Sequence, residues 1–120
     1  WCEFFEGRHL SVDYNYGLQR LCVEGIKPLD TFTRWNEWTR TKYYMSRPTI
    51  LMELLKSYEW VNCEFIGDNL IEVHLRRNED FTGNISHFIP VWEGQDTTPP
   101  NGYQYRDYPD IHGRIGAFIK

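Results

Sequence analysis

Glu64, Glu72, His74 and Arg76 have the residue types and the spacing of a phosphate-handling cation site. They lie in two stretches of alternating polar and apolar residues on either side of a turn signal at 67–69. Mg²⁺ prefers carboxylate oxygens and usually completes its shell with water and substrate phosphates. A nearby arginine suits a phosphate or a carboxylate. The pattern predicts a two-carboxylate Mg²⁺ site, with His74 as a further ligand or a group beside the ligands.

A β-hairpin must position these residues. We predict two antiparallel strands joined by a three-residue loop at 67–69, which pairs Ile66 with Leu70 and Glu64 with Glu72. Residues directly opposite each other have Cβ atoms about 5 Å apart, and like charges there are destabilising. A cation between Glu64 and Glu72 removes that repulsion.

Side chains alternate in direction along each strand, so the hairpin has two faces. The apolar face should pack on a core and carries Cys63, Phe65, Ile71, Val73 and Leu75. The polar face carries Asn62, Glu64, Glu72, His74 and Arg76. An alternative is that this polar face is simply half solvated. A register slip of one residue would also separate the two glutamates.

The rest of the chain predicts an α+β fold, a largely antiparallel β-sheet with one main helix packed on a face. Strands are expected at 8–14 and 18–24, joined by a turn at 15–17. The helix is expected at 48–58, where apolar residues fall at helical spacing and form one stripe. Residues 29–46 are expected to be a loop.

Residues 81–120 hold most of the prolines and glycines. They predict a loop-rich tail with short strands at 88–92 and 114–119. With 120 residues, the whole chain is expected to form a single domain.

Charge and cysteine content narrow the function class. The net charge of −4 argues against binding to nucleic acid as the main task. The apolar runs are too short to span a bilayer, so no membrane association is expected.

The three cysteines, Cys2, Cys22 and Cys63, do not have the spacing of a disulfide framework. They indicate free thiols in a reducing compartment, and the protein is expected to be cytoplasmic.

The two stretches Asn62–Phe65 and Leu70–Arg76 resemble the metal-binding end of the ATP-grasp superfamily. In that family an acidic residue on one strand is followed by Glu-x-Asn-x-Arg on the next. Glu64 matches the first acid and Glu72 matches the glutamate. Arg76 matches an arginine that some members use near the transferred phosphate. His74 stands where the family usually has asparagine, which leaves the third ligand open.

The segment Glu3–Asp13 resembles the part of the family that follows the adenine-contacting linker. The resemblance implies that Glu3, Phe4 and Phe5 lie along the adenine, partly through backbone groups, and that His9 contacts the ribose. On the same strand Asp13 could contact substrate, but we expect it to be a solvated residue.

The resemblance covers residues 1 to about 80 and implies the C-terminal lobe of an ATP-grasp domain, followed by the tail at 81–120. It implies an ATP-dependent ligase that activates a carboxylate as an acyl-phosphate and joins it to an amine. ATP and Mg²⁺ are the implied cofactors, and a small carboxylic acid is the implied substrate. The family grips ATP phosphates with residues that precede this segment. The chain is therefore expected to be a fragment that works with an N-terminal region of the same protein.

Two other functions remain open. An aromatic-rich acidic domain could be a non-catalytic module that binds a ligand or a partner, with Trp35, Trp38 and Trp92 as stacking platforms. In that case Glu64 and Glu72 are incidental or bind a structural Ca²⁺. The chain could also be a degenerate ATP-grasp relative with a structural role, to which His74 in place of asparagine points.

Overall fold

The computed structural model describes residues 5–26 and 37–120, without the side chains of 109–111. The regular structure of these residues is mainly β-sheet. Its strands are β1 His9–Asn15, β2 Leu18–Ile26, β3 Glu37–Arg40, β4 Trp60–Ile66, β5 Asn69–His74, β6 His87–Trp92, β7 Gln104–Ile111 and β8 Arg114–Ile119. A 3₁₀ turn, Thr49–Leu51, leads into one α-helix, α1 Met52–Ser57. Residues 29–36 of the predicted loop at 29–46 lie outside the described residues, and the prediction is wrong for Glu37–Arg40, which form β3.

The predicted α+β fold with a main helix is wrong, because the described residues form an all-β structure. The helical segment spans only Thr49–Ser57, and Tyr58 is already extended, with φ −111° and ψ 138°. Leu55 is the one buried residue of this segment, whereas Ile50 is 88% exposed. The predicted apolar stripe assumed 3.6 residues per turn throughout. The first turn is 3₁₀, with about three residues per turn, so Ile50 falls off that stripe.

The described residues divide into two compact units. The first contains residues 5–25 and 40–79. Its four strands form an antiparallel sheet in the order β5-β4-β1-β2. Apolar residues alternate along these strands, and their shared face packs with α1 and the chain before it. The buried cluster consists of Leu10, Val12, Tyr14, Cys22, Met45, Leu55, Val61, Cys63 and Phe65.

Two-residue turns close the hairpins of the first unit. Asn15 pairs with Leu18, and the intervening Tyr16 and Gly17 both have positive φ, as a type I′ turn requires. This turn and the strands on either side of it were correctly predicted. In this sheet β1 lies between β4 and β2, and β4 lies between β5 and β1. These two strands are therefore the central strands of the first unit.

The second unit contains residue 26, residues 37–39 and residues 80–120. Its strands lie in the order β3-β6-β8-β7, and the pairings β3–β6, β6–β8 and β7–β8 are antiparallel. Its buried apolar residues include Phe81, Ile85, Phe88, Val91, Ala117 and Ile119. The predicted strands at 88–92 and 114–119 correspond to β6 and β8. The sequence did not predict β7, which ends at a two-residue turn formed by His112 and Gly113.

None of the helices among the described residues has the length and the apolar character needed to cross a bilayer.

Candidate metal centre

The β4–β5 hairpin aligns Glu64 with Glu72, as predicted, although the turn differs from the prediction. Ile66 pairs with Asn69, so the loop has two residues, and Gly67 has φ +60°. The register then shifts beyond Phe65, which adds one residue to β5. This bulge restores the predicted opposition of Glu64 and Glu72. The predicted pairing of Ile66 with Leu70 is wrong.

The bulge also changes which apolar residues of β5 reach the core. Leu70 and Val73 pack against the buried cluster. Ile71 is 40% exposed, and Leu75, beyond the end of β5, is 55% exposed. The prediction that these two residues face the core is therefore wrong. A bulge bends its strand locally and changes the direction of nearby side chains. Here it places the Glu72 carboxylate opposite Glu64.

Glu64, Glu72 and His74 form a cluster in which one ligand atom of each residue lies within 4.8 Å of the other two. His74 pairs with Asn62 in the same register and so projects on the same side as Glu72. Its Nε2 lies 3.4 Å from Glu72 Oε2. Glu64 and His74 are half-buried and Glu72 is exposed. The three residues predicted as metal ligands are thus together, on a face open to solvent on one side.

His9 makes direct contact with this cluster. Its Nε2 donates a hydrogen bond to Glu64 Oε2 at 3.0 Å, and the imidazole is largely buried. Because Ser11 is the residue directly opposite Glu64, His9 reaches the carboxylate diagonally from β1. His9 was predicted to contact a ribose. Here it is placed to hold one oxygen of Glu64.

A buried polar network lies next to the cluster on β1 and β4. Asn62 Nδ2 donates to Ser11 Oγ and to Asp13 Oδ1, both at 2.8 Å. The backbone N–H of Asn78 donates to both oxygens of Asp13 at 3.0 Å. The prediction that Asp13 is solvated is wrong, because the chain beyond β5 folds over it and leaves it 3% exposed.

Burial raises the pKa of the Asp13 carboxyl. The hydrogen bonds from Asn62 and Asn78 and the charges of Arg76 and Arg77 oppose that rise. Sequence reasoning missed this network. The signal in the sequence was the polar residues Ser11, Asp13 and Asn62, which lie on the same face of β1 and β4 as Glu64.

Arg76 lies on the bend after β5, and its side chain is exposed. Its Nη1 donates to the carbonyl oxygen of Arg77 at 3.2 Å. Arg76 lies two residues beyond His74. It belongs to the segment in which the Asn78 backbone N–H donates a hydrogen bond to Asp13. It is therefore near the cluster in the chain.

The predicted adenine-contacting residues fall at the start of the chain. Glu3 and Phe4 lie outside the described residues, and Phe5 is half-buried just before β1. The chain at Gly7 passes close to the β4–β5 turn, where Gly67 N–H donates to the Arg8 carbonyl oxygen at 2.9 Å. A Cβ at Gly7 would come within 2.8 Å of Gly67 Cα. The two glycines therefore allow the segment before β1 to approach the hairpin.

The predicted stacking platforms fall in the second unit or outside the described residues. Trp38 and Trp92 are half-buried, and Trp35 is not described. An open groove in the second unit is lined by Ile89, Pro90, Val91, Trp92, Gln95, Asp96 and Phe118. Of the two described platforms, Trp92 lines that groove and Trp38 does not.

Comparisons of the chain with protein-family models, curated proteins and solved structures found no match. The resemblance to the ATP-grasp superfamily therefore stays a prediction from the residues.

Proposed function

We propose that this chain supplies the cation-binding part of an ATP-dependent ligase, which activates a carboxylate as an acyl-phosphate and joins it to an amine. The observation that carries the proposal is the convergence of Glu64, Glu72 and His74 on one face of the hairpin. Two carboxylates balance the charge of one divalent ion. The exposed side of the cluster leaves room for water and for phosphate oxygens, as Mg²⁺ bound with ATP requires.

The proposed reaction needs positioning and charge neutralisation more than covalent help from the protein. An oxygen of the substrate carboxylate attacks the γ-phosphorus, and the bond to the β–γ bridging oxygen breaks to release ADP. The amine then attacks the acyl carbon and displaces phosphate. Mg²⁺ supplies neutralisation of the phosphate charge when bound. Glu64 and Glu72 hold it, and Arg76 contacts the transferring phosphoryl group.

The proposal extends to partners and setting. The partners are a nucleotide and a small carboxylic acid. We place the protein in the cytoplasm, which agrees with the buried free thiols of Cys22 and Cys63, since reducing compartments keep thiols unpaired.

A Mg²⁺ titration followed by backbone amide NMR shifts, with and without ATP, tests the proposal. We expect Mg²⁺ to shift the amide signals of residues 62–76, and we expect ATP to enlarge the shift at Arg76. Glu72→Gln removes one charged ligand and should abolish these shifts while leaving the remaining spectrum folded.

Glu53→Gln is the matched control, because Glu53 is a highly exposed glutamate on α1 in the same unit. It should bind Mg²⁺ as the unchanged chain does. Equal Mg²⁺ shifts in Glu72→Gln and in the unchanged chain would contradict the proposal, as would the absence of shifts at residues 62–76.

A further inference from the structure

We propose that His74 gives this site a nitrogen ligand, so that it binds late first-row divalent ions of the Co²⁺ to Zn²⁺ class in preference to Mg²⁺. The inference rests on the proposed cation site at Glu64 and Glu72. It deepens that proposal by naming the residue that sets cation preference and the chemical class of the ion.

His74 is placed to bind an ion together with both glutamates. It is paired with Asn62 in the same register that sets Glu72 opposite Glu64. Its ligand nitrogen lies within 4.8 Å of a carboxylate oxygen of each glutamate, a spacing that an ion between them can bridge with small side-chain rotations. The imidazole is half-buried and its Nε2 already lies 3.4 Å from Glu72 Oε2.

His9, the other histidine at the site, has a different role. Its Nε2 already donates to Glu64 Oε2, and it is not one of the three clustered ligands. Metal-binding carboxylates are commonly oriented by such hydrogen bonds from neighbouring side chains. His9 is therefore a positioning residue for Glu64, and His74 is the nitrogen ligand.

The ligand set determines the preferred ion. Mg²⁺ favours oxygen donors in a strict octahedron and gains little from imidazole. Imidazole nitrogen binds late first-row ions well, and affinity rises from Mn²⁺ toward Cu²⁺ for a given site. With two carboxylates and one neutral imidazole, the site remains charge-balanced for any divalent ion. Replacing His74 by asparagine, an oxygen donor of shorter reach, should therefore lower the affinity for Co²⁺ much more than that for Mg²⁺.

The test compares Co²⁺ and Mg²⁺ binding to the 120-residue chain by calorimetry, with the visible absorption of Co²⁺ as a second readout. We expect Co²⁺ to bind tighter than Mg²⁺. His74→Asn should weaken Co²⁺ binding about 10-fold or more and change Mg²⁺ binding less than about 3-fold. It should also shift the Co²⁺ spectrum, because a nitrogen ligand is lost.

His112→Asn is the matched control. His112 is exposed on the β7–β8 turn with φ +55°, a conformation that asparagine tolerates, so this variant tests incidental binding by a surface imidazole. It should leave both affinities unchanged. A Kd(Mg²⁺)/Kd(Co²⁺) ratio that is the same in His74→Asn and in the unchanged chain would overturn the inference, while Mg²⁺ binding that still depends on Glu72 would leave the proposed function standing. If neither ion bound, or if Glu72→Gln bound both normally, both proposals would be overturned.

Discussion

The His9 imidazole and the Glu64 carboxylate are joined across β1 and β4 by a hydrogen bond from Nε2 to Oε2 at 3.0 Å. They are diagonal neighbours on the polar face, since Glu64 is directly opposite Ser11. The contact fixes one carboxylate oxygen and leaves the other for an ion. It links the strand that begins the described sheet to the hairpin that carries the candidate ligands.

This contact predicts that His9 sets the affinity of the cation site. His9→Ala should weaken Mg²⁺ binding about 10-fold, the size of effect typical when a hydrogen bond to a metal ligand is lost. His9→Gln, whose side-chain amide can donate in the same direction, should stay within about 3-fold of the unchanged chain. Calorimetric titration measures both variants, and thermal unfolding checks that each is folded. Equal affinities in all three chains would show that His9 does not position Glu64.

The buried Asp13 carboxylate should be a main determinant of stability in the first unit. Asp13→Ala removes the acceptor of the Asn78 backbone N–H and one of the two acceptors of Asn62 Nδ2, so we expect a loss of about 3 kcal/mol in the free energy of unfolding. Asp13→Asn keeps an acceptor oxygen and should lose less. Urea unfolding measures both values. A loss below about 1 kcal/mol in Asp13→Ala would contradict the importance of this network.

Asp13 also predicts a specific pH dependence. Burial raises the pKa of Asp13 above the ordinary value of 3.8. Between pH 3.8 and the raised pKa, the native state therefore keeps a proton that the unfolded chain has lost. The contribution of Asp13 to stability is therefore highest below pH 3.8 and falls as the pH rises through the raised pKa. Asp13→Asn has no proton to lose, so the free energy of unfolding of the unchanged chain minus that of the variant should decline over this range. A difference that rises with pH would contradict the prediction.

The helical segment buries Leu55 and leaves Ile50 exposed, which predicts different effects for the same substitution at the two positions. Leu55 is buried in the core of the first unit, so Leu55→Ala should cost about 2–5 kcal/mol. Ile50 belongs to the same segment but is 88% exposed, so Ile50→Ala should change stability by less than about 0.5 kcal/mol. Denaturant unfolding of both variants checks this. Similar losses of stability in the two variants would indicate that Ile50 and Leu55 are both buried, as in the apolar helical stripe that the sequence predicted.

The approach of Gly7 to Gly67 gives a prediction with an internal control. Gly7 has φ +136°, and a Cβ there would meet Gly67 backbone atoms at 2.8 and 2.9 Å. Gly94 also has positive φ, at +82°, but has open space around its Cβ position. Gly7→Ala should therefore destabilise the protein by at least about 1 kcal/mol more than Gly94→Ala, which carries only conformational strain. Unfolding midpoints would refute this if the two variants lost equal stability.

The sequence predicted the two hairpins of the first unit well because alternation and turn residues are local signals, whereas it did not predict the β7–β8 hairpin of the second unit. The pairing of Glu64 with Glu72 was predicted correctly although the turn was not, because two differences in the hairpin cancel. A three-residue loop and a two-residue turn followed by a bulge shift the register by the same amount. Beyond that bulge the predicted and observed pairings coincide. Ile71, at the bulge, and Leu75, beyond the end of β5, were nevertheless wrongly predicted to face the core.

The errors arose where tertiary contacts decide the outcome. The burial of Asp13 depends on Asn78, which is 65 residues away in the chain. The contact of His9 with Glu64 spans 55 residues. A single strand shows neither contact, because alternation predicts which face a side chain is on and cannot predict what covers that face. The overestimated helix has a similar cause, since periodicity does not reveal a 3₁₀ start.

Crystals grown with Mn²⁺ and a non-hydrolysable ATP analogue test most directly whether Glu64 and Glu72 jointly hold a divalent ion. Mn²⁺ prefers the same oxygen ligands as Mg²⁺ and gives an anomalous signal. We predict an anomalous peak about 2 Å from a carboxylate oxygen of each glutamate, with the analogue's phosphates on its open side. A well-ordered hairpin without a peak between Glu64 and Glu72, or a peak bound elsewhere on the chain, would contradict the claim.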